Sequence, residues 1–173
     1  MHAGTLPTAQ EVKAMLGLEP HPTCGFVAET YRSPLKIPAS ALPEAYEADR
    51  PYGSALYFLV SPDAQIVMHR IRSDQQYHHY MGDPLEVLML YPDGTGTVAI
   101  VGSDLAGGER PQLFVPGGTF HTSRLLASGD SGYALLASTE WPGVEPPDVE
   151  HGNIEQLVAA FPDMETQIRA FTG

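Results

Sequence analysis

The sequence predicts a mainly β protein, an antiparallel sandwich or barrel with short helices at its two ends. Eight short runs of β-type residues recur at regular spacing through the middle of the chain. The segments between them are rich in Gly, Pro and Asp, and none has the length or periodicity of a helix. Such a pattern is typical of an all-β sandwich or barrel. The eight runs are residues 55–60, 65–72, 75–81, 85–91, 96–101, 112–115, 119–126 and 133–139.

Helical signals flank this β region. Thr8 and Glu11 have the spacing of a capping box and Gly17 provides a stop, which together predict a helix over residues 9–16. Near the other end, Asn153 is a suitable cap for a helix over 153–160, and residues 164–171 form a third helical pattern after Pro162. The stretch 34–53, rich in Pro and Ala, is predicted to be a long surface loop or lid.

Composition sets broad limits. With 173 residues, the chain is expected to form one domain over 1–173 with its own core. Nine basic residues against 21 acidic ones give a formal charge of −12, which disfavours nucleic acids and anionic membranes as partners. No apolar run approaches the roughly 20 residues of a membrane span, and no signal peptide is recognised, so a cytoplasmic location is expected.

The single cysteine has limited chemical scope. Cys24 excludes an internal disulfide and a cysteine-based zinc site, and a structural role is favoured over a nucleophilic one.

A series of motifs resembles one known superfamily along nearly the whole chain. In order they are "LGLEPHP" (16–22), "ETYRS" (29–33), "ALYFLV" (55–60), "HRIRSD" (69–74), "YMGDPLEVLML" (80–90), "ERPQLFVPGG" (109–118) and "GYALLASTEWPG" (132–143). The sequence is similar to the cupins, in particular to their branch of small single-domain proteins of unassigned function. The resemblance implies an antiparallel double-stranded β-helix, or jelly-roll barrel, and a homodimer. It implies little about activity, because cupins carry many chemistries.

The metal positions customary in cupins are largely replaced. The usual pattern is His-x-His, then Glu, then six residues and Gly, with a further histidine three residues after a later proline. His69 matches the first histidine, but Ile71 stands at the second. Gln75 stands at the glutamate position and Thr119 at the last histidine. The resemblance therefore implies that the standard cupin metal site is absent.

Strand alternation predicts which side chains enter the barrel. His69 shares a face with Val67 and Ile71, and this apolar face should point inward. On later strands, the inward positions implied by the resemblance continue at every second residue, whereas His78 falls on the opposite face. The predicted inward set is Gln75, Tyr77, His79, Met81, Thr119 and His121.

Two interpretations of the histidines remain open. His69, His79 and His121 could converge on zinc, iron, manganese or nickel at a displaced depth. Alternatively, they line a metal-free polar pocket, which is the favoured interpretation. A bulge near residues 74–75 would exchange His78 for His79 in the lumen; His78 could instead lie at a dimer interface. The remaining histidines, His2, His21 and His151, are expected on the surface or in loops.

Two other sites have a structural alternative. Glu29 is either a pocket acid or base or the ion-pair partner of Arg32. Arg124 either binds a substrate carboxylate or makes a structural pair. The predicted catalytic residues are thus His69, Tyr77, His79, His121 and Glu29, and the predicted ligand-binding residues are Gln75, Thr119, Arg124, Met81 and His78.

The functional prediction is an enzyme that transfers protons on a small polar organic molecule in the barrel lumen, as an isomerase, epimerase, cyclase or lyase. One alternative is a non-catalytic small-molecule-binding protein. Another is a metal-dependent dioxygenase with a displaced three-histidine site. Replacement of the customary carboxylate by Gln75 is expected for a binding protein and tolerable for a metal-free enzyme.

Overall fold

The computed structural model describes residues 6–127 and 129–172. Two antiparallel sheets face each other and enclose the main core, as predicted for a jelly roll. The strands are β1 (Glu19–His21), β2 (Gly25–Arg32), β3 (Lys36–Ile37), β4 (Arg50–Pro51), β5 (Ser54–Val60), β6 (Ile66–Ile71), β7 (Asp74–Gly82), β8 (Leu85–Leu90), β9 (Gly96–Val101), β10 (Gln112–Val115), β11 (Phe120–Leu125), β12 (Ala134–Trp141) and β13 (Val149–His151).

The first sheet has the strand order β1-β2-β5-β12-β7-β10, and the second has the order β13-β6-β11-β8-β9. A separate ribbon pairs β3 with β4. The fold class predicted from the sequence is confirmed, and each of the eight predicted runs corresponds to one strand between β5 and β12. The other strands escaped that pattern because they are mostly very short or exposed, so their sequences carry little alternation.

Apolar side chains from both sheets interlock to form the core. Phe58, Tyr77 and Leu136 come from the first sheet, and Val87 and Met89 come from the second. All are nearly inaccessible to solvent. This core occupies the barrel, and a polar region adjoins it around His69 and Gln75, which are also buried. The interior therefore has an apolar body and a polar region suited to a site.

The helices cover the outer faces of the sheets. Helix α1 (Ala9–Leu16) begins with the predicted capping box of Thr8 and Glu11, and its Val12 packs on the first sheet. Helices α2 (Ile154–Ala160) and α3 (Glu165–Thr172) bury Leu157 and Ile168 against the second sheet. Among the residues that the structure describes, no helix is long and apolar enough to cross a bilayer.

Two β-bulges alter the predicted alternation. In β6, His69 pairs with His121 but Ile66 pairs with Ser123, so β6 holds one extra residue between these pairs. The bulge leaves Val67 46% exposed, and the prediction that Val67 points inward with His69 is wrong. His69 is nevertheless buried, together with Ile71, because it lies beyond the bulge.

The second bulge lies at Tyr80 in β7, several residues beyond the expected position near 74–75. Leu135 pairs with Met81 and Leu136 pairs with His79, so Tyr80 has no partner of its own. As a consequence Met81 packs with the cluster under α1, outside the barrel, and its predicted place in the lumen is wrong.

The stretch 34–53 is more ordered than a surface loop. It contains β3, β4 and a 3₁₀ turn over Ala39–Ala41, and its Tyr46 and Arg50 are buried. The Arg50 guanidinium donates from Nε and Nη2 to the two carboxylate oxygens of Asp148, each at 2.7 Å. This ion pair ties the stretch to the 3₁₀ turn Pro146–Asp148.

Candidate functional site

One cavity of about 460 Å³ opens into the barrel. Its walls come from β1, β2, β5, β7 and β12 of the first sheet, from β6 and β13 of the second, and from the segments 22–24 and 144–146. A concave site of this size, mostly apolar with a few convergent polar groups, is the usual form of a small-molecule site. Its polar and ionisable members are His21, Thr23, Cys24, Glu29, Arg32, Ser54, His69, Gln75, Tyr77, Ser138, Glu140, Glu145 and His151.

His69 lies in the wall of the cavity with one ring nitrogen free. It is only 4% exposed, and its Nδ1 lies 2.7 Å from the carbonyl oxygen of Val67. A carbonyl can only accept, so Nδ1 carries the proton and Nε2 keeps its lone pair in the neutral ring. Within the described part of the chain, no group hydrogen-bonds Nε2. Burial, with a smaller contribution from His121, holds the pKa of His69 well below its ordinary value, so the ring is a neutral base.

A hydrogen-bonded chain runs behind His69. The Ser138 hydroxyl donates to Oε1 of Gln75 at 3.4 Å, and Nε2 of Gln75 donates to Nε2 of His121 at 3.2 Å. His121 in turn donates from Nδ1 to the carbonyl oxygen of Thr119 at 3.1 Å. Burial lowers the pKa of His121 to about 4, so it stays neutral and can accept from the amide. Both nitrogens of His121 are therefore engaged, and its side chain does not line the cavity.

This chain explains why an amide suits position 75. A carboxylate has no proton to donate to Nε2 of a neutral His121, whereas Gln75 donates to it and accepts from Ser138. The ring centroids of His69 and His121 lie 4.3 Å apart. By its hydrogen bond to His121, Gln75 therefore also fixes the ring that packs against His69. Gln75 thus does a different task from the metal-ligating glutamate of the customary cupin pattern.

Glu140 is a functional candidate that sequence reasoning missed. It projects into the cavity from β12 and is 4% exposed. Ser54 Oγ accepts from the backbone N–H of Val144 at 3.3 Å, which leaves the Ser54 proton to donate to Glu140 Oε2 at 2.6 Å. Burial raises the pKa of Glu140, and the hydroxyl hydrogen bonds only partly offset that rise. Alternation along β12 was the available signal, since Leu136, Ser138 and Glu140 share one face.

Three charged side chains stand in the outer wall. Arg32 donates from Nη2 to Glu29 Oε2 at 2.6 Å and from Nη1 to Glu145 Oε1 at 3.1 Å. The predicted pair of Glu29 and Arg32 is present, and both residues also line the cavity. The Arg32 guanidinium is thus occupied by two carboxylates. Together, Arg32, Glu29 and Glu145 carry a net negative charge.

Two histidines expected on the surface also line the cavity. Nε2 of His151 lies 3.0 Å from the hydroxyl of Thr23, and Nδ1 of His21 accepts from the backbone N–H groups of Thr23 and Cys24. Both residues are exposed, as expected. However, the pairing of β13 with β6 brings His151 opposite His69. Long-range pairing of this kind leaves no local trace in the sequence. His2 lies outside the described residues.

The cysteine and the tyrosine of the cavity wall stay protonated. Burial raises the pKa of the Cys24 thiol to about 12, so it offers no thiolate nucleophile near neutral pH. Burial also raises the pKa of Tyr77 well above its ordinary value, which keeps the phenol neutral and able to donate a hydrogen bond.

Several predicted site residues lie elsewhere. His79 shares the inward face of β7 but donates from Nε2 to the carbonyl oxygen of Asp83 at 3.1 Å and does not line the cavity. His78 bonds Thr139 and Gln112 on the other face. Arg124 pairs with Glu86 at 2.8 Å and also donates to the carbonyl oxygen of Ala170, the structural alternative foreseen for it.

Thr119 is fully buried but is not part of the cavity wall. Its hydroxyl has no hydrogen-bond partner among the described residues.

The donor set does not fit a metal. Of the four customary cupin positions only His69 carries a strong donor, since Ile71, Gln75 and Thr119 supply an alkyl group, an amide and a hydroxyl. Across residues 6–127 and 129–172, no three His, Cys, Asp or Glu side chains come close enough to hold a metal ion. The predicted set of His69, His79 and His121 is therefore not assembled, because His79 is held beside Asp83.

Comparisons with known proteins agree with the fold. Residues 10–152 match the family described as "Cupin superfamily (DUF985)". An uncharacterized protein of Saccharomyces cerevisiae is 28% identical over 132 residues. The alignment covers 72% of this chain and 65% of the yeast protein, so the chain spans a little under two thirds of that relative's length.

Two solved structures are similar over almost their whole length. A hypothetical protein from Leishmania major has a TM-score of 0.85 at 28% identity, covering 95% of this chain and 98% of that one. A protein from Shewanella oneidensis has a TM-score of 0.82 at 29% identity, covering 97% of this chain and 99% of that one. These similarities show the architecture and assign no reaction.

Proposed function

This chain belongs to the DUF985 family of the cupin superfamily, and from that premise we propose that it is an enzyme that transfers protons on a small polar molecule. The substrate occupies the cavity between the two sheets. The proposal concerns isomerase, epimerase, cyclase or lyase chemistry, in which removal of a proton beside a carbonyl is the difficult step.

One observation carries the proposal: His69 lies in the wall of a solvent-open cavity, its ring is held neutral, and its Nε2 has no hydrogen-bond partner among the described residues. A general base must be unprotonated at working pH and within reach of its substrate. The hydrogen bond from Nδ1 to Val67 selects the tautomer that leaves Nε2 available, and Ile71 and Phe58 provide an apolar wall nearby.

Other side chains have supporting roles in this proposal. Tyr77, as a neutral phenol, donates a hydrogen bond to the substrate oxygen on which negative charge develops. Gln75 and His121 act as positioning residues, because their hydrogen bonds keep His69 beside a neutral ring. Glu29 remains a rim residue whose ion pair with Arg32 shapes the entrance. His79, Met81, Arg124, Thr119 and His78 have no place in the proposed reaction.

Hydrogen–deuterium exchange tests the proposal even while the product is unidentified. The protein is incubated in deuterium oxide with a panel of sugars, keto acids and amino acids, and loss of C–H signals is followed by proton NMR. We expect at least one compound to exchange a proton beside its carbonyl, and His69→Asn to reduce that rate by about 10²-fold or more.

A matched histidine variant provides the control. His79→Asn removes another half-buried imidazole on a strand of the barrel, but outside the cavity wall, and should leave exchange unchanged. Exchange that persists in His69→Asn but disappears in His79→Asn would contradict the assignment of the base. Compounds that bind the wild-type cavity with no exchange or turnover would refute catalysis.

Non-catalytic binding is the second candidate, and Gln75 is the observation that favours it. The customary carboxylate is replaced by an amide committed to internal hydrogen bonds. In that case ligands protect the fold thermally, but no bond changes, and His69→Asn alters affinity alone. The dioxygenase alternative is not carried forward, because its three histidines are not brought together.

We also propose that the chain forms a homodimer, as its resemblance to other small cupins implies. The exposed aromatic side chains Tyr31, Tyr80, Phe114 and Trp141 all lie on strands of the first sheet. Light scattering coupled to size-exclusion chromatography tests this, and a mass of about one chain at tens of micromolar would contradict it.

A further inference from the structure

The cavity contains a buried carboxylate without a cation. Glu140 is 4% exposed, and it takes part in no ion pair with any described Lys, Arg or His side chain. Its hydrogen-bond partners are neutral hydroxyls, with Ser54 at 2.6 Å and Ser138 as the second. Buried charges in proteins are normally paired, because desolvation of an isolated carboxylate is expensive. Among the described residues, Glu140 thus has no cation at ion-pair distance, and Arg32 attracts it only at longer range.

The remaining charges in the cavity do not supply that counter-charge. Among the described residues, Arg32 is the one arginine or lysine in the wall, and Glu29 and Glu145 already occupy its guanidinium. Its Coulombic attraction only partly offsets the effect of burial on Glu140. It also donates to the carbonyl oxygen of Val144. Apart from its imidazoles, the described wall holds three carboxylates against one guanidinium. An anionic ligand would meet net repulsion in this low-dielectric space, whereas a cation would be attracted.

The surroundings of Glu140 are suited to one end of a polar ligand. Ser54 is held by the Val144 N–H with its hydroxyl proton on Oε2 of Glu140, so this oxygen has a fixed donor. Phe58 and Tyr77 also line the cavity, with ring centroids 4.9 Å apart, and aromatic walls tolerate a cation better than aliphatic ones. An ammonium group has the several donors that such a carboxylate and hydroxyl cluster can accept.

We propose that the substrate of this cavity carries a protonated amino group, which Glu140 binds as an ion pair while His69 faces the part of the molecule that reacts. The inference rests on the proposed function for its second half only. The first half, recognition of an ammonium group by Glu140, concerns binding and holds for an enzyme or for a binding protein. On sequence alone, Arg124 is a candidate for the charged group that binds the ligand, through a carboxylate of the substrate. In this proposal the charged group is Glu140, and it binds a cation.

Three probes that share one carbon skeleton test the charge preference. Cyclohexylamine, cyclohexanol and cyclohexanecarboxylate are titrated separately into the full-length chain near neutral pH. Binding is followed by NMR through the methyl groups of Ile66 and Ile71, which both line the cavity. We expect the amine to bind about tenfold or more tightly than the alcohol, as a charge-assisted hydrogen bond implies, and the carboxylate to bind most weakly.

Two glutamate variants determine whether Glu140 is the receptor. Glu140→Gln should reduce the amine to the affinity of the alcohol, because the amide keeps the shape and loses the charge. Glu86→Gln removes a carboxylate of the second sheet that is paired with Arg124 outside the cavity, and it should keep the preference. If Glu140→Gln fails to fold, Ser54→Ala provides the second variant, and retention of a weakened amine preference supports the proposal.

Several outcomes overturn the inference. Tighter binding of the carboxylate or the alcohol than of the amine does so, as does an amine preference that survives in Glu140→Gln. Absence of amine binding at tens of millimolar also refutes it. If no compound exchanges deuterium but the preference for the amine is observed, the proposed catalysis is refuted and the proposed ammonium recognition is retained. The reverse result would leave an enzyme whose substrate is neutral or anionic.

Discussion

Two buried carboxylates of this protein have opposite surroundings. Asp148 is 2% exposed and accepts two hydrogen bonds of 2.7 Å from the Arg50 guanidinium. It also accepts the backbone N–H of Glu145 at 3.0 Å. Burial works to raise its pKa, but these hydrogen bonds outweigh it, and the pKa of Asp148 lies below its ordinary value. Glu140 is almost as deeply buried, but its partners are neutral hydroxyls and not a paired cation, and burial raises its pKa.

The contrast separates a structural charge from a functional one. A carboxylate with its partners in place stabilises the fold because its removal leaves a buried guanidinium unpaired. A carboxylate without a cation contributes little to the fold and remains available to a ligand. The same change, carboxylate to amide, should therefore have opposite consequences at positions 148 and 140.

The largest effect is expected at Asp148. Asp148→Asn leaves the Arg50 charge buried without its counter-ion, so the free energy of unfolding should fall by about 3–5 kcal/mol. Denaturant unfolding followed by circular dichroism measures the change. The double variant Arg50→Met/Asp148→Asn should recover part of the loss, because no buried charge is then left unpaired and the amide oxygen can still accept from the Glu145 N–H.

An exposed ion pair provides the control for this experiment. Glu155→Gln breaks a pair with Arg169 in which Glu155 is 76% exposed, and because water screens this pair, the loss of stability should be far smaller than that of Asp148→Asn. Equal losses for Asp148→Asn and Glu155→Gln would show that the Arg50 pair is not a structural anchor.

Acid should destabilise the protein through its two neutral buried histidines. In the folded state the pKa of His121 is about 4 and that of His69 is also lowered, whereas both are about 6.5 when unfolded. The unfolded state therefore binds more protons, and stability falls as the pH drops below about 6.5. Each histidine contributes a slope of up to about 1.4 kcal/mol per pH unit.

Glu140 changes the stability in the opposite direction as the pH falls. Its pKa is raised in the folded state, so the folded protein takes up this proton before the unfolded protein does and is stabilised by it. The measurement is therefore best made by denaturant unfolding between about pH 7 and 5 in the Glu140→Gln background. A further His121→Gln substitution should reduce the slope, because one buried neutral histidine is removed. A flat profile in the Glu140→Gln background would contradict the neutral burial of these histidines.

Gln75→Glu should raise the pKa of His121 above its present value of about 4, because a carboxylate at position 75 favours the protonated ring. The donor to Nε2 of His121 is lost at the same time, so we expect a destabilisation of about 1–3 kcal/mol near neutral pH. NMR titration of the imidazole signals measures the pKa directly.

The protein contains a surface counterpart of this pair. Gln112 Nε2 donates to Nδ1 of His78 at 3.0 Å, in a more exposed setting. Gln112→Glu should shift the pKa of His78 less than Gln75→Glu shifts that of His121, because water screens the new charge. A shift of equal size at both sites would show that burial does not control the inner pair.

The smallest effect on stability is expected at Glu140 itself. Glu140→Gln should change the free energy of unfolding at neutral pH by less than about 1 kcal/mol, and toward greater stability, because a raised pKa means that ionisation opposes folding. The same unfolding assay as for Asp148→Asn measures it. A loss as large as that of Asp148→Asn would remove the distinction between the two carboxylates.

Much of the architecture was predictable because its causes are local. The capping box of Thr8 and Glu11 and the turn residues between the eight runs act over a few positions, so their outcome follows from sequence alone. The candidate site was only partly predictable. His69, Gln75 and Tyr77 followed from alternation, but Glu140 was overlooked despite the same signal.

The sequence by itself determined the β-rich fold class, since that depends on short-range period and turn residues. Its resemblance to cupins also implied that Ile71, Gln75 and Thr119 replace the customary metal donors. The tertiary structure decided where Val67 and Met81 point. Each lies at or beside a β-bulge, where the alternation of faces along the strand is interrupted. The position of each bulge depends on pairing with strands that are distant in sequence. Strand pairing and the barrel likewise gathered His69 and Glu140, 71 positions apart in sequence, around one cavity. Which charges are paired is a property of that three-dimensional arrangement. It distinguishes Asp148, which anchors the fold, from Glu140, which is left for a ligand.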